Sequence, residues 1–230
     1  MSRIVMSDKY MCFSDELKKL GYTVIFSDDI KVFAEPERKH TDMQILKIDN
    51  TVFLLRECNC LCDKLAIDDV ILCDKNVGEK YPRNILLNFL YLNNVLYGKV
   101  SAIDPNLKKF CLDNGIKIVN VNQGYTRCST LVISENAVIT ADTSIEKVLI
   151  KNGVEVLKIA EGNIVLDGYN YGFIGGASGI IDDVIVFFGD VTRHPDFYKI
   201  QSFCLKHNKK IQILAKETMP LTDIGGIVVL

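Results

Sequence analysis

A chain of 230 residues, 48% hydrophobic and 24% charged, carries enough apolar material for a full core and is long enough for one large domain or two small ones. Its formal net charge of -2, with both signs interspersed, argues against a nucleic-acid surface, which shows as a basic excess or patch. Met1 to Met6 is too short for a secretory leader and runs such as Val184 to Phe188 are too short to span a membrane, so a cytoplasmic protein with reduced thiols is expected.

Met1 to Met6 reads as a strand. Ser14 is expected to cap a helix carrying Leu17 and Leu20 that stops at Gly21, and Tyr22 to Phe26 is the next strand. Ser27 to Lys39 is polar and connecting, with Pro36 excluding a regular element. His40-Thr41-Asp42 then opens a hairpin: Ile45 to Ile48, the turn Asp49-Asn50, and Thr51 to Leu55. Cys58, Leu61, Cys62 and Leu65 fall at i, i+3, i+4 and i+7, one face of a helix, and Val70 to Cys73 returns as a strand.

Beyond a polar loop from Asp74 to Arg83 the pattern repeats. Leu86 to Leu92, the turn Asn93-Asn94 and Val95 to Gly98 form a hairpin. Asp104-Pro105 supplies an N-cap and a first-turn proline; Leu107, Phe110 and Cys111 form the helix face; Asn114-Gly115 stops it; Ile116 to Val121 is the strand.

The clearest copy runs from Cys128 to Ile159. Thr130 to Ser134, the turn Glu135-Asn136 and Ala137 to Thr140 make the hairpin. Thr143 and Glu146 predict a capping box, Ile145, Val148 and Leu149 the apolar face, Asn152-Gly153 the left-handed stop, and Val154 to Ile159 the return strand. After the loop Glu161 to Gly172, the last full copy has Ile180-Ile181, the turn Asp182-Asp183, Val184 to Phe188, a helix beginning at His194-Pro195 with Ile200, Phe203 and Cys204 inward, a stop at Asn208, and Ile211 to Leu214.

Ile227 to Leu230 is a lone strand, and the first copy lacks its opening strand. Together they complete a fifth ββαβ cassette split across the termini, so one α/β domain over 1–230 is expected, closed into a ring by pairing of the N- and C-terminal strands. The alternative is a two-layer α/β protein whose regularity is coincidental.

In such a ring the residues just before each opening strand converge on the axis: His40 and Asp42, Arg83 and Asn84, Arg127 to Ser129, Gly175 to Gly179, and Thr222 to Gly226. A polar, glycine-rich mouth beside apolar strands suits a small-molecule pocket. Cys128 is the nearest thiol, and the cation of Arg127, with His40 close by, is expected to favour its thiolate over those of Cys111 and Cys204. Asp42 and Asp223 are the candidate clamps for a cationic or guanidino group, Asp42 alternatively pairing with Arg127, and Arg127, Ser129 and Ser178 are further binding candidates.

Other motifs carry less. Gly175-Gly176 lacks the Lys-Ser/Thr ending of a phosphate loop and opens a strand rather than a helix, so it reads as a tight turn. Cys58-Asn59-Cys60-Leu61-Cys62, with Cys73, departs from structural-zinc spacing, so a helix without metal is expected. His194 and His207 fit helix ends, and no cofactor is indicated.

The phrases His40-Thr41-Asp42-Met43-Gln44, Tyr125-Thr126-Arg127-Cys128-Ser129 and Tyr171-Gly172-Phe173-Ile174-Gly175-Gly176-Ala177-Ser178-Gly179 resemble an uncharacterised bacterial family of the pentein, or guanidine-modifying-enzyme, fold. Gly189-Asp190, His194-Pro195-Asp196 and Asp223-Ile224-Gly225 go with them, and the resemblance covers essentially the whole chain. It implies a five-bladed propeller of ββαβ units. Enzymes of that fold use a cysteine near the C-terminus, a histidine acid/base and carboxylates that hold the guanidinium. His40-Thr41-Asp42 is similar to the H-x-D element of the deiminases, but lies early in this chain, and Leu221 to Leu230 contains no cysteine.

The expectation is therefore a small-molecule binder for a guanidino or cationic amino compound in the axial channel, without the usual C-terminal catalytic cysteine. One alternative is a divergent deiminase- or amidinotransferase-like hydrolase with Cys128 as nucleophile and His40 as acid/base. Another is a non-catalytic protein-interaction module. A small-molecule partner is expected, but no nucleic acid or membrane.

Overall fold

The computed structural model describes residues 2–230; Met1, assigned above to the N-terminal strand, lies outside them. Strand β1 (Arg3–Met6) leads into α1 (Met11–Lys19) and β2 (Thr23–Phe26); a short helix α2 (Thr41–Gln44) precedes β3 (Ile45–Ile48) and β4 (Thr51–Leu54), followed by α3 (Asn59–Leu65) and β5 (Val70–Leu72). The next unit is β6 (Leu90–Leu92), β7 (Val95–Gly98), α4 (Pro105–Asp113) and β8 (Lys117–Asn120). Then come β9 (Thr130–Ser134), β10 (Ala137–Thr140), α5 (Thr143–Lys151) and β11 (Glu155–Lys158), and finally β12 (Ser178–Ile181), β13 (Val184–Phe188), α6 (Phe197–Lys206), β14 (Lys210–Leu214) and β15 (Ile227–Val229).

Each unit is a three-stranded sheet in which a hairpin pair is antiparallel and the strand after the helix returns parallel to the middle one. The fifth sheet joins the ends of the chain: β15 pairs antiparallel with β1, Ile4 opposite Val229 and Met6 opposite Ile227, while β2 lies parallel on the other side. The split cassette inferred from the sequence is thus whole in space. All five opening strands face one axis, since residues of β3, β6, β9, β12 and β15 line a single opening of about 330 Å3. Helix faces seal the outside of the sheets: Leu107 and Cys111 of α4, Ile145 and Leu149 of α5, and Ile200 and Cys204 of α6 are fully buried. Where the split unit meets the last full one, Phe13 packs on Phe188 with ring centroids 5.5 Å apart, and burying each such ring stabilises the fold by roughly 1.5–3 kcal/mol.

Several boundaries move for physical reasons. Ser14 does not cap α1; it sits inside the helix, its hydroxyl donating to the Met11 carbonyl, because Phe13 joins Leu17 on the buried face and pulls the start one turn earlier. Asp142, rather than Thr143, caps α5: one carboxylate oxygen accepts from the Ser144 and Ile145 amides, and a full negative charge suits a helix N-terminus better than a hydroxyl. His194-Pro195 does not begin a helix; a 3-10 turn at Val191–Arg193 intervenes and α6 starts at Phe197. A 3-10 turn also occupies Glu35–Glu37, where the proline sits in the first turn and needs no donor. The expected strand Leu86 to Leu92 shortens to β6 because Asn88 leaves the ladder to bind the axial loops. No helix among the described residues is long and apolar enough to cross a membrane.

Candidate active site in the axial cavity

The loops before the opening strands meet at the other end of the axis. Two glycines make the meeting possible. Gly176 lies so close to Asp223 that a Cβ there would stand 2.0 Å from Oδ1, and Gly225, at φ +81, packs against the backbone and ring of His40. Gly176 also donates to the Cys128 carbonyl at 3.0 Å and accepts from Ile224 and Gly226, so the glycine pair is a crossing point of backbones rather than a phosphate loop.

His40, Cys128 and Asp223 line one cavity of about 120 Å3. His40 is held by the turn that starts α2; its Nδ1 is 3.9 Å from Asp223 Oδ1, and both side chains are buried. Asp223 is oriented from the backbone, accepting from Phe173 N at 2.8 Å and Gly225 N at 2.9 Å. Met43, Leu166 and Phe173 supply apolar wall, Glu37 a further carboxylate, and Tyr125, Tyr169 and Tyr171 aromatic rings. Tyr169 and Tyr171 are exposed and mark the rim, Tyr169 donating to Glu37 Oε1 at 2.6 Å. Their loop is pinned to the N-terminal unit by Asp167, which accepts from Tyr10 at 2.9 Å and pairs with Lys9 at 3.5 Å.

Asp42 stands behind this lining, 2% exposed, with no nitrogen or oxygen donor on either carboxylate oxygen and only the Cys128 thiol as a polar neighbour that could share a proton with it. Burial pushes its carboxyl up to about 6; the Asp223 charge adds to this and His40 opposes it. Burial also pushes the Cys128 thiol well above its ordinary value, with the carboxylates of Asp42 and Asp223 adding to it. The cation expected to counter this is not there: Arg127 turns its guanidinium to the Thr130 carbonyl at 3.1 Å and lines the opposite opening with Lys47 and Asp49. Arg127 is therefore outside the cavity it was expected to line, is not hydrogen-bonded to Asp42 and does not activate the thiol, and the expected excess of thiolate at Cys128 has no source in the resting site. Cys111 and Cys204 are pushed up only to about 11, by burial.

Ser129 and Ser178 also lie elsewhere. Ser129 faces a smaller neighbouring cavity of about 60 Å3 beside Gln123 and Asp142, because residues 126–129 form a tight turn before β9, its Ser129 amide donating to the Tyr125 carbonyl at 2.9 Å, which carries successive side chains round to different sides. Ser178 is buried and donates to the Ile174 carbonyl, closing the turn before β12. Of the remaining loop residues, Asn84 reaches inward and donates to the Tyr125 hydroxyl at 2.7 Å, whereas Arg83 stays exposed.

Sequence reasoning missed Asn88, the residue that holds the centre. Its Nδ2 donates to Cys128 Sγ at 2.9 Å and to the Asp42 carbonyl at 3.2 Å, while Oδ1 accepts from the Arg127 and Cys128 amides at 2.9 and 3.3 Å. The signal was one amide inside an otherwise apolar run, Leu86 to Leu92. It also missed Glu37 and the aromatic rim. The cysteine-rich segment forms the start of α3, with Cys58 buried at its cap, Cys62 half-buried and Cys60 exposed. Among the described residues no three His, Cys, Asp or Glu side chains are grouped to hold a metal ion.

Comparison with known proteins agrees with this architecture. Residues 4–228 match the family described as "Family of unknown function (DUF6873)". No match was found among curated proteins. Among solved structures, the DDAH of Pseudomonas aeruginosa, a cysteine-to-serine mutant complexed with citrulline, superimposes with a TM-score of 0.60 at 8% identity, covering 99% of this chain and 98% of that one. The amidinotransferase SxtG of Microseira wollei, from the saxitoxin biosynthetic pathway, gives 0.58 at 11% identity, over 94% of this chain and 77% of that one. The inosamine-phosphate amidinotransferase of Streptomyces griseus gives 0.55 at 14%, over 94% and 76%. At these identities the likeness shows the pentein-like fold alone.

Proposed function

The chain belongs to the DUF6873 family, and we propose that it binds a small cationic compound, of the guanidino or cationic amino class, in the axial cavity between His40, Asp223 and Glu37. One observation carries the reading: beside three tyrosines the ionisable lining is two carboxylates, one histidine and one thiol, with no lysine or arginine, and a third carboxylate, Asp42, lies behind it without a cation partner. Carboxylates withdrawn from water without cations are costly, and a ligand cation offsets that cost at the moment of binding. A cavity of about 120 Å3 holds one small head group, since about 150 Å3 of apolar cavity accommodates a benzene. The remainder of the ligand would leave past Tyr169 and Tyr171.

Calorimetric titration with small organic cations, neutral analogues and anions tests this. Cations should bind and the other two classes should not. Glu37→Gln keeps an acceptor for Tyr169 but removes a charge, and should weaken cation binding about tenfold, or ~1.4 kcal/mol.

A second reading is favoured by the shared lining of Cys128 and His40: a hydrolase in which the Cys128 sulfur bonds to the ligand carbon, the thiol proton passes through His40 to the departing amine, and water then cleaves the carbon–sulfur bond and restores the thiol. The raised thiol weighs against it in the empty site. Cys128→Ser should then abolish amine release while retaining binding. Absence of amine release from any bound cation by the unmodified protein would leave the binding reading alone.

A further inference from the structure

We infer that the head group held in the axial cavity is a methylated ammonium rather than a bare guanidinium, an inference that rests on reading this cavity as a cation site. Four aromatic side chains line it: Tyr125, Tyr169, Tyr171 and Phe173. Tyr125 and Phe173 lie near-parallel, 28° apart with centroids separated by 6.2 Å, and Tyr81 backs Tyr125 at 6.3 Å and 29°. Near-parallel rings at that separation are offset, which leaves part of each π face uncovered and holds the wall in place. Aromatic walls with carboxylates nearby are how proteins hold cations whose charge is spread over methyl groups.

The acceptors point the same way. A guanidinium brings five N–H donors that must be met when it is desolvated. Here Asp223 already accepts one backbone amide on each oxygen, Glu37 accepts from Tyr169, and the Tyr125 hydroxyl accepts from Asn84. Asp42 has free lone pairs but is not part of the lining. Further lone pairs remain on the Asp223 and Glu37 carboxylates, but most of the remaining wall is ring, thioether and alkyl surface that accepts no hydrogen bond, so the cavity offers negative potential and ring surface rather than a fork of acceptors. A quaternary or tertiary ammonium needs that combination, and its methyl groups replace water along the apolar wall without leaving donors unmet.

The test is calorimetry on the full chain with four probes: tetramethylammonium, choline, methylguanidinium, and 3,3-dimethylbutan-1-ol, the neutral carbon counterpart of choline. Choline and tetramethylammonium are expected to bind at least tenfold more tightly than methylguanidinium, and the neutral alcohol at least tenfold more weakly than choline. Phe173→Leu should weaken choline at least fivefold. Tyr171→Leu, which alters an exposed rim ring and spares the core, should weaken it in the same direction, whereas Tyr171→Phe should not. Methylguanidinium binding as tightly as choline would overturn this inference and leave the cation reading intact. Equal binding of choline and its neutral counterpart, or no binding of any cation, would overturn both.

Discussion

His40 and Asp223, drawn from opposite ends of the chain, face each other across the axis with Nδ1 3.9 Å from Oδ1 and side chains 6% and 1% exposed. The pair exists because two backbones come closer than side chains would permit. Gly176 admits the Asp223 carboxylate and Gly225 admits the His40 ring. Ring closure, glycine placement and the acidic character of the cavity are thus one structural fact.

Gly176→Ala and Gly225→Ala should both be destabilising, Gly225→Ala the more so because it adds backbone strain at φ +81 to steric overlap with His40. Overpacking of this kind costs roughly 1–3 kcal/mol. Denaturant midpoints check the order, and a loss of cation binding larger than the loss of stability would show that the His40–Asp223 geometry is what the glycines protect.

Asn88→Leu removes a group that makes five contacts at once and leaves the Arg127 and Cys128 amides without their side-chain acceptor. Orphaning buried donors costs about 1–3 kcal/mol each, so a loss of roughly 3–5 kcal/mol is expected. Asn88→Asp still accepts from both amides but buries a further carboxylate beside Asp42 and the Cys128 sulfur, so it should lose more stability than Asn88→Leu at pH 8 and less at pH 4, and it should slow any chemistry at Cys128 because it no longer donates to the sulfur. Equal stability loss in the two variants at both pH 4 and pH 8 would contradict this division of roles.

Much of this was readable beforehand. The hairpin turns, the helix faces and the stops at Gly21, Gly115 and Gly153, all at positive φ, sit where local residue chemistry put them, and the repeat made ring closure a deduction. His40, Cys128 and Asp223 were brought together by the same deduction. What failed was direction. Whether Arg127 points to one end of the axis or the other, and whether Ser129 or Ser178 faces the cavity, depends on the tight turns that precede β9 and β12, which equivalence between units does not determine. Asn88 was hidden because strand propensity of its neighbours outweighed one polar residue, and the Tyr169–Glu37 contact joins segments no pattern relates.

Asp42 titrates at about 6 in the folded protein against 3.8 when unperturbed, so the folded chain keeps a proton that the unfolded chain has released across that window. An acid raised in this way favours the fold below about pH 4, and that contribution is lost as pH rises through 6. Its full size is roughly 3 kcal/mol. Asp42→Asn should therefore be more stable than the parent at pH 8, with the advantage fading toward pH 4. Parallel stability profiles from pH 4 to 8 would contradict the burial of a charged Asp42. Because the ionised form attracts a cation, binding should also tighten as pH rises through 6.

Cys128 should be among the slow thiols of the free protein, with the buried Cys58 and Cys73. Mild alkylation near neutral pH followed by mass spectrometry should label the exposed Cys12 and Cys60 first and Cys128 after them. Asp42→Asn should speed Cys128 by removing a neighbouring negative charge. Early labelling of Cys128 in the unmodified protein would mean that a cation reaches the thiol after all.

The most direct test of the cation site is a crystal structure of the protein soaked with a small organic cation. The account predicts density for the cation enclosed by His40, Glu37, Asp223 and the rings of Tyr125 and Phe173, with Tyr169 closing over it. An empty axial cavity at saturating cation, or density only at the opposite opening beside Arg127 and Lys47, would contradict it.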